Sequence, residues 1–122
     1  MSEYEAKKEA FRHRTKQYAA RIIRLYRSLP KSQTEIQIIG KQLVRSGTSV
    51  AANYREASRA RSSMEFIAKI ELCSQEADES MLWLELLHEE CGIASPDLDW
   101  LLRESSELIA IFVTMAKKVK AK

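Results

Sequence analysis

The stretch Ile36-Gln37-Ile38-Ile39-Gly40-Lys41-Gln42-Leu43-Val44-Arg45-Ser46-Gly47-Thr48-Ser49-Val50-Ala51-Ala52-Asn53-Tyr54-Arg55-Glu56-Ala57 decides the fold. Ile36, Gly40, Leu43, Gly47, Val50, Tyr54 and Ala57 alternate steps of four and three without a break. That rhythm is the seam of a long packed helix. Upstream, Phe11, Tyr18, Ile22, Leu25 and Leu29 form a second stripe of helical spacing, closed by Pro30, which disfavours helical geometry in the residue before it. Downstream come Phe66, Ile70, Cys73, Ala77, Met81, Leu84, Leu87 and Cys91, and then Leu98, Leu101, Ser105, Leu108, Phe112, Met115 and Val119.

The ends of these stripes carry their own signals. Ser2 with Glu5, Ser32 with Glu35 and Ser62 with Glu65 fit capping boxes, Gly92 is a natural stop, and Ser95-Pro96 is an N-cap followed by proline at the first helical position. The spacing therefore predicts helices over roughly 3–29, 33–58, 63–91 and 96–120. Short loops between long helices make an all-α, antiparallel up-and-down four-helix bundle, with residues 1–122 as one domain.

Composition agrees. Three Gly and two Pro are too few for an all-β domain with many tight turns. No apolar run approaches the ~20 residues of a membrane span, and Met1–Ala10 is polar, unlike a secretory leader, so a cytoplasmic protein is expected. Cys73 and Cys91 stand about 27 Å apart along one predicted helix, too far for an intrachain disulfide. Charge is uneven: residues 1–61 carry 14 Lys/Arg against 5 Asp/Glu, whereas residues 62–122 carry 6 against 12. Either the two halves attract each other, or the first half presents a basic surface to nucleic acid.

The second helix is unusual beside its seam. Gln42, Ser46, Ser49, Asn53, Glu56 and Ala60 form a small, polar stripe, and Lys41, Arg45, Arg55 and Arg59 lie on the other flank. A hairpin centred near residue 61 or 62 brings this region level with Glu76 and Glu79. Half-buried carboxylates need partners, so Arg45, Ser46, Ser49, Asn53, Glu56, Glu76 and Glu79 are expected to form a structural polar network.

The run from Gln42 to Ala57 resembles the signature of the 23S rRNA intervening-sequence family, often called four helix bundle proteins. Glu76-Ala77-Asp78-Glu79-Ser80-Met81-Leu82-Trp83-Leu84-Glu85-Leu86-Leu87 resembles its second motif, and Leu29-Pro30-Lys31-Ser32 its first interhelical turn. The likeness spans about residues 11–91. It implies an up-and-down bundle that assembles as a ring, commonly a homopentamer. Some members are encoded within 23S rRNA genes. Relatives called accessory variability determinants bind nucleic acid and act beside the reverse transcriptase of diversity-generating retroelements.

Catalytic chemistry finds little support. Glu85 and His88 have the Glu-x-x-His spacing of a di-iron bundle, but such a site needs two of these motifs and two further glutamates. No zinc spacing, phosphate loop or nucleophile set is present, so neither a cofactor nor an enzyme is expected. The basic half supplies candidates for nucleic acid: Lys7, Arg14, Arg21 and Arg24 on the first helix, Arg55 and Arg59 on the second, and Arg61 in the joint. Arg12, Lys16 and Arg27 point elsewhere, and the first-helix arginines are expected to have few acidic partners and to lie off the fold's seam. Two classes of function stay open: an oligomeric accessory that binds RNA or DNA backbones with little base specificity, or a protein-interaction scaffold whose charges serve assembly. Apolar residues off the seams, such as Ile23, Ile38, Leu82 and Ile109, favour self-association in both.

Overall fold

Each of the four apolar stripes coils into one helix. A computed structural model describes residues 1–122, with α1 (Glu3–Ser28), α2 (Thr34–Ala57), α3 (Ser63–Glu89) and α4 (Pro96–Lys120) running up and down in chain order. Backbones approach only between neighbours around the square; α2 and α3 pack most closely, while α1 stands off from α4. No helix is long and apolar enough to cross a membrane.

The serine caps form where the sequence places them at three of four starts. Ser2, Ser62 and Ser95 accept from the backbone N–H groups of Glu5, Glu65 and Leu98, each at 3.1 Å. The box expected at Ser32 does not form, and α2 begins after Gln33 with no side-chain cap. Lys31 holds that turn instead, donating to the carbonyls of Tyr26 and Leu29 at 2.5 and 3.1 Å. At the far end of α3, Gly92 adopts φ 71°, which L side chains avoid. The chain then folds back so that the Ile93 N–H reaches the Leu87 carbonyl at 3.0 Å. Accordingly α3 ends at Glu89, two residues before the predicted boundary.

All seven α2 seam residues are buried. Gly47 lets α1 come so close that a Cβ there would overlap Ile22 Cδ1, and Gly40 faces the Tyr26 ring in the same way. A hydroxyl layer crosses the middle of the core, with one residue from each helix. Tyr18 lies 2.6 Å from Ser105, and Ser46 lies 2.7 Å from Ser80, all four fully buried. Burial pushes the Tyr18 phenol up to about 12. At one end of the bundle Phe11, Tyr54 and Phe112 interlock, with centroids 4.7 Å apart for Phe11–Tyr54 and 5.7 Å for Phe11–Phe112. Both cysteines are free thiols, Cys73 in the core and Cys91 just past α3.

Candidate nucleic-acid interface

Beside that aromatic plug, α1 and the end of α2 enclose a groove of about 470 Å³. Its lining is wholly polar: Glu5, Glu9, Arg12, His13 and Lys16 from α1, with Arg55, Ser58 and Arg59 from the end of α2. Phe11 and Tyr54 join the two walls by direct ring contact, so the backbones that carry Arg12 and Arg55 lie side by side there. Ser58 ties the walls further. Its carbonyl accepts from Lys8 at 3.3 Å, and its hydroxyl accepts from Arg12 at 3.0 Å. Cations there also suit the negative end of the α2 dipole.

Within the groove Arg12 pairs with Glu9 at 2.5 Å. That hydrogen bond and the Arg12 charge, reinforced by Arg55 and Arg59, hold the Glu9 carboxyl below the ordinary carboxylate range. Lys16, Arg55 and Arg59 form no salt bridge within the chain. With Arg12 they outnumber the groove's two carboxylates, Glu5 and Glu9, four to two, and that excess of positive charge suits an anionic ligand.

The other candidates from the sequence scatter. The guanidinium groups of Arg24 and Arg61 are exposed and meet no acid side chain, but lie outside the groove, and Lys7 meets Glu3 at 3.6 Å on the surface. Arg14 grips Glu104 and also meets Glu107 at 3.2 Å. Arg21 faces Asp97 at 3.7 Å and lies over the Trp100 ring, 4.3 Å from its centroid. The expectation that first-helix arginines have few acidic partners is therefore corrected: α4, where no motif is legible, supplies Asp97, Glu104 and Glu107. Arg12, His13, Lys16 and Ser58 were missed. The four-residue spacing shared by Arg12/Lys16 and Arg55/Arg59, set on an antiparallel α1–α2 hairpin, is the signal that finds the groove.

The sequence matches the model of the 23S rRNA-intervening sequence proteins over residues 7–114. The chain belongs to that family. A crystal structure of a protein of unknown function from the S23 ribosomal protein family of Bacteroides thetaiotaomicron is similar to this family member. The two are 35% identical, with a TM-score of 0.78 over 87% of this chain and 97% of the other. No curated protein matches the chain.

In this intervening-sequence protein the polar stripe of α2 divides into separate contacts rather than one network. Arg45 bridges to Glu76 at 3.3 Å and to Glu79, on a part-exposed face. Ser46 turns inward to Ser80. Ser49 and Asn53 bond to carbonyls of their own helix, those of Arg45 and Ser49, at 2.8 and 2.9 Å. Glu56 pairs with Lys69 at 3.4 Å. The α2–α3 level matches a hairpin centred near residue 61 or 62: Arg45 spans Asp78 by meeting both Glu76 and Glu79, and Cys73 lies against the Val50 carbonyl, while the Ser46 hydroxyl reaches on to Ser80. No three His, Cys, Asp or Glu side chains converge as a metal site would need.

Proposed function

We propose that this protein is a non-enzymatic, self-associating accessory that binds nucleic-acid backbones through the α1–α2 groove. The observation that carries the reading is the gathering of Lys16, Arg55 and Arg59, none in a salt bridge, beside Arg12 in a cleft free of apolar side chains whose cations outnumber its two carboxylates. Phosphate oxygens are met by charge and spacing alone, so binding is sequence-tolerant. The family description names 23S rRNA, which supports an rRNA-linked role over service to a retroelement reverse transcriptase. Two free thiols fit the reducing cytoplasm.

Assembly is supported by outward apolar residues: Ile38, Leu82 and Ile23 are 57%, 46% and 41% exposed. A ring of copies, with five as the family expectation, repeats the groove once per subunit and multiplies weak phosphate contacts. Those apolar residues also favour the alternative, a scaffold that binds no nucleic acid. Fluorescence anisotropy with RNA and DNA at low salt separates the two. Wild type should bind and the Arg55→Glu, Arg59→Glu double variant should not, while both keep the same helicity and light-scattering mass. Absence of binding by wild type establishes the scaffold, and a monomer mass at micromolar concentration rules out the ring.

A further inference from the structure

Resting on the reading of the α1–α2 groove as a backbone-binding site, we infer that its ligand is a single strand, one base of which stacks on Tyr4 where the strand leaves the groove at the end of the bundle. Tyr4 is the one Phe, Tyr or Trp in the chain that does not pack on the hydrophobic core. It stands in the first turn of α1, and its neighbour Glu5 lines the groove. Lys8 ties the two together: its ammonium lies 4.7 Å from the Tyr4 ring centroid and donates to the carbonyl of Ser58, a groove residue, at 3.3 Å. Tyr4 is 61% exposed, with Lys8 over one face, so its open area lies on the other face and the edge. Packing gives no reason for so exposed a ring at the foot of a basic track.

Single strands are held by a basic track together with flat side chains that receive their bases, and the stacking is sequence-tolerant because every base has a π-face. The groove supplies both parts. Its cations come from α1 and the end of α2, and His13 stands exposed among them. The Arg12 guanidinium, held by Glu9 at 2.5 Å and Ser58 at 3.0 Å, offers a further plane of the kind on which bases stack. A duplex fits less well. It is a stiff rod, and the axes of packed helices lie only ~8–10 Å apart, so a rod meets such a crevice at its rim. Its bases are already stacked on one another and gain nothing from Tyr4.

The test uses the full chain in anisotropy titrations at low salt with three probes of equal length: oligo(U), an abasic strand of the same backbone, and mixed-sequence duplex RNA. Wild type should hold oligo(U) more tightly than either of the others. Tyr4→Ala should lose at least about fivefold on oligo(U), the lower end of what one stacked base contributes. Tyr4→Phe, which keeps the ring, should bind oligo(U) as wild type does. The abasic strand and the duplex should not distinguish the three proteins. Tighter binding of the duplex, or an oligo(U) affinity that Tyr4→Ala leaves unchanged, overturns the inference and leaves backbone binding standing. An equal loss on the abasic strand overturns it too, since the change would then act through charge or fold and not through a base. Failure of wild type to bind any probe overturns both the inference and the function on which it rests.

Discussion

Arg14 on α1 holds the Glu104 carboxylate of α4 with both arms of its guanidinium, Nε at 2.8 Å from one oxygen and Nη2 at 2.7 Å from the other. The Glu104 side chain is only 9% exposed, so without Arg14 it would keep its charge in a poorly solvated place. Breaking a fully buried pair costs about 3–5 kcal/mol. Since Arg14 is itself 32% exposed, Arg14→Ala should cost roughly 2–3 kcal/mol in urea denaturation. Glu104→Gln should cost less, because the amide oxygen still accepts from Arg14. Equal stability of Arg14→Ala and wild type would show that the pair is ornamental.

Glu9 stands inside the basic groove and competes with any incoming phosphate for Arg12. Its carboxyl is ionised across the neutral range, held there chiefly by Arg12. Glu9→Gln removes one like charge about 7 Å from a bound phosphate, which in water amounts to about threefold tighter binding. Anisotropy at low salt should show this gain, and raising the salt should erase it. A loss of affinity would place the phosphates elsewhere.

Where α1 packs on α2, Gly47→Ala forces a methyl against Ile22, which is fully buried. Overpacking costs roughly 1–3 kcal/mol and the better helix propensity returns about 1, so a net loss near 1 kcal/mol is expected. Ile22→Val deletes the offending Cδ1. In the Gly47→Ala background it should therefore cost less than it does alone, a coupling that thermal melts of all four proteins would measure.

Alkali should unfold the bundle through its buried neutral acids. Burial pushes Cys73 from 9.0, and Tyr18 and Tyr54 from 10.0, up to about 12. These groups ionise first in the unfolded chain, so their stabilising effect is whole below about pH 9 and disappears as pH rises toward 12. The melting temperature should stay level to about pH 9 and then fall. Cys73→Ala should delay the onset by about one pH unit, and an unchanged onset would remove the thiol from the account.

What the sequence made legible follows from which interactions are local. The α2 seam and the caps at Ser2, Ser62 and Ser95 depend on residues three or four apart, and all appear as read. Ser32 does not cap because α2 starts one residue later than its box requires, with Gln33 at the N-cap position. The level at which α2 meets α3 was legible too, since a short capped joint leaves little freedom, and Arg45 falls between Glu76 and Glu79 as expected. Arg55 and Arg59 were found because they follow the rhythm of α2. Arg14 and Arg21 misled because their partners lie on α4, far along the chain, where burial of Glu104 has no signature in a sequence of exposed-looking residues.

The up-and-down order leaves one joint unlike the rest. Consecutive helices meet across short turns, whereas Arg14 and Glu104 are separated by 90 positions. Closing so long a loop is entropically the most demanding step, so α1 should dock on α4 after the three hairpins have formed. Contacts made after the folding barrier slow unfolding and leave folding speed alone. Arg14 and Tyr18, with Glu104 and Ser105 across from them, therefore act as a clasp: they set how long the closed bundle lasts, not how quickly it is reached.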